Sequence, residues 1–297
     1  MPLRFLKRKL TAPAGPPATG PRVPPSAVTD PAERDRLRAR AESCIFWWHS
    51  IDLGQGVVTP GHKTPEVLRA ELEKQRWPDL RDKTVLDVGA WDGFFSFEAE
   101  RRGASRVVAL DHYAWSLDHA RTGPYCQKCR DEGVAVQPFH TIPELFRPDT
   151  LPGKRGFDLA REALRSKVEP AVGDFMEMDL APLGTFDLVL FLGVLYHMPH
   201  PLLALERVCQ LTKGLAIIET EALAVPGFED RAVCEFFEGD ELGGDPTNWW
   251  VPNAKALEGL CRAAGFGRAE VLTPPPRARF PKPGQVLRYR AVAHAWK

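Results

Sequence analysis

From Lys83 onward, short apolar runs alternate with amphipathic stretches. Thr84 to Gly89, Val107 to Asp111, Glu169 to Gly173, Phe186 to Phe191 and Leu215 to Glu219 each read as a strand. The runs are nearly continuous rather than alternating, as expected of strands covered on both faces. Helical spacing fills Phe94 to Arg102, Phe157 to Ser166, Pro201 to Cys209 and Ala254 to Ala264. Ala269 to Leu272 and Val286 to Ala295 add two strands at one edge. The pattern predicts an α/β domain over residues 83–297, a mostly parallel seven-stranded sheet with helices on both faces. Residues 113–154, rich in Pro and Gly, read as an unusually long connection, an insertion in the domain.

Upstream the pattern changes. Residues 1–29 carry repeated prolines and no apolar period, which predicts a disordered Pro-rich arm. Residues 30–82 predict an N-terminal helical cap or lid. Asp30-Pro31 supplies an N-cap and first helical position for a helix to Cys44, and Thr64-Pro65 opens a second to about Lys74. Between them lie the aromatic cluster Phe46-Trp47-Trp48-His49 and a glycine-rich turn.

Composition narrows the function classes. The chain has 297 residues, 44% hydrophobic and 26% charged, ordinary globular values. No apolar run approaches the roughly 18 to 20 residues that span a bilayer. With no apolar stretch resembling a secretory signal, the expectation is a cytoplasmic protein without a membrane partner. The 39 basic and 39 acidic residues cancel, which argues against a dedicated nucleic-acid binder. The charge is uneven, however: residues 1–22 hold five basic and no acidic side chains, and the segment from Arg262 onward holds eight against Glu270 alone. Six scattered cysteines include one C-x-x-C pair, Cys126 and Cys129, without a matching second pair; no metal is expected.

In an open α/β sheet the ligand sits beyond the carboxyl ends of the strands. The first strand runs into Asp87-Val88-Gly89-Ala90-Trp91-Asp92-Gly93, where Gly89 and Gly93 permit a tight turn before a helix N-terminus. The second ends in Asp111, whose carboxylate could accept both hydroxyls of a ribose, followed by His112. The glycine spacing is G-x-x-x-G rather than the G-x-G-x-x-G of dinucleotide sites. Asp87 and Asp92 would repel a pyrophosphate but suit the cationic amino-acid end of S-adenosylmethionine (SAM). Asp174-Phe175 after the third strand offers an acid and an aromatic ring for an adenine, and Leu192 ends the fourth. The cofactor predicted is SAM, held by Asp87, Gly89, Ala90, Asp92, Gly93, Asp111, His112, Asp174, Phe175 and Leu192.

Thr84 to Asp111 and Phe186 to Met198 resemble class I SAM-dependent methyltransferases, which implies their Rossmann-like fold. Phe191 to Met198, Trp47 to Gly54 and Asn248 to Asn253 are similar to the family named for its tRNA wobble-uridine (5-methoxyuridine-type) methyltransferase members. The tRNA-modifying branch uses carboxy-SAM, whose transferred carbon carries a carboxylate and needs a nearby cation. Tyr196 falls where that branch has a pocket tyrosine. The branch's lysine-containing segment is replaced here by Trp48-His49-Ser50, leaving His62, Lys63 or a C-terminal arginine such as Arg288 to substitute. His197, Tyr196 and His49 are the catalytic candidates, since an imidazole titrates near neutral pH and can act as a base. The leading expectation is methyl transfer to an oxygen or nitrogen of a small molecule or sugar-containing metabolite. The alternatives are a tRNA wobble-uridine alkyltransferase and a non-catalytic SAM-binding protein.

Overall fold

The computed structural model describes residues 30–44, 46–275 and 286–297; the predicted arm, 1–29, lies outside them. Helix α1 (Pro31–Ser43) begins where Asp30 accepts the Ala32 N–H, and α2 (Pro65–Gln75) where Thr64 accepts from Val67. Next come β1 (Thr84–Val88), α3 (Phe94–Arg101) and β2 (Arg106–Asp111). They are followed by α4 (Tyr113–Ser116), α5 (His119–Glu132), α6 (Arg155–Ala163) and β3 (Glu169–Val172). After β4 (Phe186–Leu192) come α7 (Pro201–Leu211) and β5 (Thr212–Ala224). The chain then forms β6 (Cys234–Phe236), β7 (Trp250–Pro252), α8 (Ala254–Ala263), β8 (Arg268–Val271) and β9 (Leu287–Trp296).

Seven strands form one sheet in the order β3-β2-β1-β4-β5-β9-β8. The first five are mutually parallel, and β9 runs antiparallel to both β5 and β8. Side chains divide between the faces with the period of two that a strand imposes. Leu86, Val88, Val108, Leu110, Val189 and Phe191 join a core under α7 and α8. Val85, Val107, Ala109, Leu188 and Leu190 join a second under α3 and α6. The edges are legible too: β3 carries Pro170, which a ladder tolerates only at its margin, and β8 presents exposed Arg268 and Glu270.

The segment between α1 and α2, read as an aromatic cluster and a glycine-rich turn, is not helical, and its apolar residues Trp47, Ile51, Leu53 and Val57 share the second core with the sheet. Residues 113–154, read as a long connection, carry regular structure. They contain α5, which runs through Gly123-Pro124. A proline removes one helical N–H, but α5 is mostly exposed and its other bonds remain, so the dipeptide does not end it. Sequence spacing also passed over the small β6–β7 ribbon.

Candidate functional site

The strand order reverses between β1 and β4, so their carboxyl ends open a cleft. Gly89 lies there with φ +77°, its backbone exposed, and an added Cβ would come within 2.6 Å of Val194. Only a bare backbone leaves this cradle open to a ligand. Ala90 is buried beside it, Leu192 partly exposed opposite, and His112 partly exposed with its ring edge on Phe146. Gly93, at φ +86°, is closed instead by packing: a Cβ would come 2.7 Å from Phe157 and Phe97.

The acids of the site divide. Asp111 is nearly buried, and burial pushes its carboxyl up to about 6. Its Oδ2 accepts the Trp91 N–H at 2.9 Å, while Oδ1 accepts those of Ala114 at 3.0 Å and Trp115 at 3.4 Å. These backbone donors fix the carboxylate at the end of β2. Asp87 is 2% exposed, accepts the Ser96 hydroxyl at 2.6 Å, and is likewise pushed by burial to about 6. It lies beneath the turn instead of reaching a cationic ligand directly. Asp174 is exposed, and its Oδ1 accepts the Met176 N–H at 2.8 Å. The Phe175 ring, expected to flank an adenine, is instead core, packed 5.7 Å from Phe191 under the Arg207 guanidinium.

Asp92 and His49 correct the sequence reading most sharply. Asp92 Oδ2 accepts the N–H groups of Trp48 at 2.9 Å and His49 at 2.8 Å, and Oδ1 meets His49 Nδ1 at 2.5 Å. Both residues are buried, with the imidazole against Phe94 and Phe95. They clasp the N-terminal segment to the β1–α3 turn; Asp92 has no oxygen turned to a cofactor, and His49 is not an open base. Gly61 completes the clasp, since a Cβ there would meet the His49 carbonyl carbon at 2.1 Å. Outside the clasp, Trp48 stacks on Trp91 at 5.1 Å, and Trp91 on His119 at 5.8 Å. Beyond this stack lies a cavity of about 310 Å³ lined by Phe46, His119, Arg121, Arg147 and Arg155.

Tyr196 and His197 follow β4 in a single 3-10 turn, Leu195–His197. Arg290, from β9, lies over the Tyr196 ring at 5.0 Å. The same guanidinium is held by both oxygens of Glu219 and, at 3.0 Å, by Glu221. His197 Nδ1 lies 2.9 Å from Thr247 Oγ1, and burial lowers the basicity of the ring. Arg290, Glu221, Asp245 and Thr247 were missed. Arg290 arrives from an antiparallel strand far along the chain, and a loop carries Asp245 and Thr247. Glu219 did leave a signal, as an acid at the end of a predicted strand. Among the described residues, no group of three or more His, Cys, Asp or Glu side chains is arranged to hold a metal.

The sheet order, the open glycine turn after β1 and the acid ending β2 define a Rossmann-like class I SAM-dependent methyltransferase, an enzyme class whose cofactor is SAM. The chain belongs to the methyltransferase-domain family, whose model matches residues 61–270. It is 29% identical over 192 residues to a tRNA U34 carboxymethyltransferase of Shewanella loihica, covering 63% of this chain and 44% of that protein. A tRNA U34 carboxymethyltransferase of Helicobacter pylori (strain G27) is 25% identical over 206 residues, covering 69% and 64%. The chain therefore spans less than two thirds of the length of these curated relatives. Among solved structures, the N-terminal domain of EvdMO1, crystallised with SAH and D-fucose, aligns with a TM-score of 0.53 at 17% identity. That alignment covers 89% of this chain and 97% of the other, a likeness of fold. No helix among the described residues is long and apolar enough to cross a membrane.

Proposed function

We propose that this protein transfers the methyl group of SAM to an oxygen or nitrogen of a small-molecule acceptor, with His197 as the base. SAM supplies an electrophilic methyl on a sulfonium. The Gly89 turn, the Asp111 carboxylate and the exposed carboxylate of Asp174 would hold its amino-acid, ribose and adenine parts. As the acceptor–methyl bond forms and the sulfur–methyl bond breaks, the acceptor's proton passes to His197 and the bond pair to sulfur. Burial keeps the imidazole neutral, as a base must be.

The observation that carries plain methyl transfer is that the lysine and arginines nearest to that role are already paired with acids. Arg290 holds Glu219 and Glu221, Lys63 holds Glu71 at 2.9 Å, and Arg288 holds Glu235 at 2.9 Å. A carboxylate entering beside Tyr196 would have to displace one of these acids or remain unpaired. An unpaired carboxylate in a largely dry pocket costs more than about 1 kcal/mol, or roughly fivefold in affinity. SAM should therefore bind at least as tightly as carboxy-SAM in side-by-side calorimetric titrations. The second reading, tRNA carboxymethyl transfer, is favoured by the names of the curated relatives and by the Tyr196–Arg290 contact. Tenfold tighter binding of carboxy-SAM would put it in place of the first.

A further inference from the structure

His197 is gripped by two residues from a distant loop. Thr247 directs both its N–H and its hydroxyl at Asp245 Oδ1, at 2.9 and 2.7 Å. A hydroxyl has one proton, and an ionised carboxylate can only accept. With that proton given to Asp245, Thr247 Oγ1 can only accept from His197 Nδ1, 2.9 Å away. The Thr247 carbonyl, which has no proton to give, lies 3.3 Å from the same nitrogen. Reversing the chain, with the hydroxyl donating to Nδ1, would leave two bare oxygen lone pairs facing each other at 2.7 Å. Both neighbours of Nδ1 thus demand a proton on it. The neutral ring carries its lone pair on Nε2, for which the described residues provide no hydrogen-bond partner.

We propose that Asp245 and Thr247 are positioning residues that set the tautomer and orientation of His197, so that Nε2 faces the methyl acceptor as the proton-accepting atom. The proposal rests on the reading of His197 as the base and names what makes it one. The surrounding charges fit. Asp245 favours the imidazolium that forms on proton uptake, whereas burial and Arg290 oppose it, so the resting ring stays neutral. The loop is also fixed in advance: the Trp249 N–H donates to the Tyr196 carbonyl at 2.7 Å and Trp250 Nε1 to the Pro199 carbonyl at 3.1 Å. Asn248 Nδ2 closes it on the Leu242 carbonyl at 2.6 Å. A base oriented by a third group is the arrangement that makes proton transfer efficient.

The test reads the ring directly. Nitrogen-15 NMR of the labelled full-length protein near pH 7.5 should show His197 protonated on Nδ1 and bare on Nε2. Thr247→Val should weaken that preference, leaving only the more distant backbone carbonyl to favour it, and Thr247→Ser should keep it. Asp245→Asn should lower the apparent pKa of the ring, because it removes the carboxylate that favours the cation. Calorimetry should find SAM affinity within about twofold of wild type for all three, showing that the fold survives. A wild-type ring protonated on Nε2, or a Thr247→Val ring unchanged, overturns the relay. Its catalytic weight is read from SAH formation against a pool of small hydroxylated and amino metabolites. Thr247→Val should lose about tenfold or more in kcat with KM for SAM unmoved, and Thr247→Ser should recover most of it. Full turnover in His197→Gln, with the wild-type ring still protonated on Nδ1, would sink the base assignment while leaving the tautomer as described.

Discussion

Asp87 and Asp111 show how environment decides what an acid does. Both sit at the carboxyl ends of central strands, and desolvation raises both to about 6 despite the donors around them. An acid whose folded-state pKa is raised binds its proton more tightly in the folded protein than in the unfolded chain. Folding then pays no penalty below the ordinary value near 3.8 and the full penalty above about 6. For a shift of this size the penalty is roughly 3 kcal/mol per group. Asp87→Asn keeps the shape and an acceptor for Ser96. It should be more stable than wild type at pH 7.5, an advantage that shrinks to nothing by about pH 4. Chemical denaturation across that range checks it, and a gap independent of pH would mean that the Asp87 carboxylate is solvated. Asp111 differs because three backbone N–H groups depend on it. Asp111→Ala should therefore lower stability by about 2 kcal/mol or more as well as weakening SAM binding, since orphaned buried donors cost about 1–3 kcal/mol each.

Among the elements, α8 depends on an unusually well-connected cap. Asn253 Oδ1 accepts the Ala256 N–H at 2.8 Å and the Val233 N–H at 3.2 Å, while Nδ2 donates to the Arg231 carbonyl at 2.7 Å. One buried side chain thus starts the helix and ties down the loop before β6. Replacing an ordinary N-cap by alanine costs about 1 kcal/mol. Asn253→Ala also orphans the loop groups, so about 2–3 kcal/mol is expected, measured as a shift in the denaturant midpoint. Asn253→Asp should recover the cap and the Val233 bond but not the Arg231 bond, because it keeps the acceptor and loses the donor. Comparable logic explains α5: its Gly123-Pro124 dipeptide suggests a turn, yet a solvent-facing helix needs little beyond its own hydrogen bonds to continue. Propensity is a weak guide where neither burial nor a cap enforces an end.

For the whole molecule, cofactor binding should appear as stability. A ligand that binds only the folded chain at 100 times its Kd adds about 2.7 kcal/mol. SAM or SAH should therefore raise the melting temperature by roughly 5 °C or more. NAD should not, because the first turn lacks the dinucleotide glycine spacing. A shift with NAD and none with SAM would overturn the assignment of the cleft.

What the chain determined by itself is the frame: five parallel strands, their helices and the glycine turn after Val88 could be read from residue order. These depend on local periodicity and on steric rules that act within a few residues. Asp111 and Asp174 were legible as strand-end acids for the same reason. Only the tertiary structure decided which strand-end groups remain open to a ligand. Asp92 is consumed by His49 and the backbone 43 and 44 residues away, and Phe175 is consumed by the core. Arg290 is placed beside Tyr196 by an antiparallel register between β5 and β9, pairing Glu221 with Arg290. Thr247 reaches His197 across 50 residues through a loop. A carboxylate or an imidazole acts according to its hydrogen-bond partners and its distance from water. Those partners are chosen by packing between segments far apart in the chain, which residue order does not record.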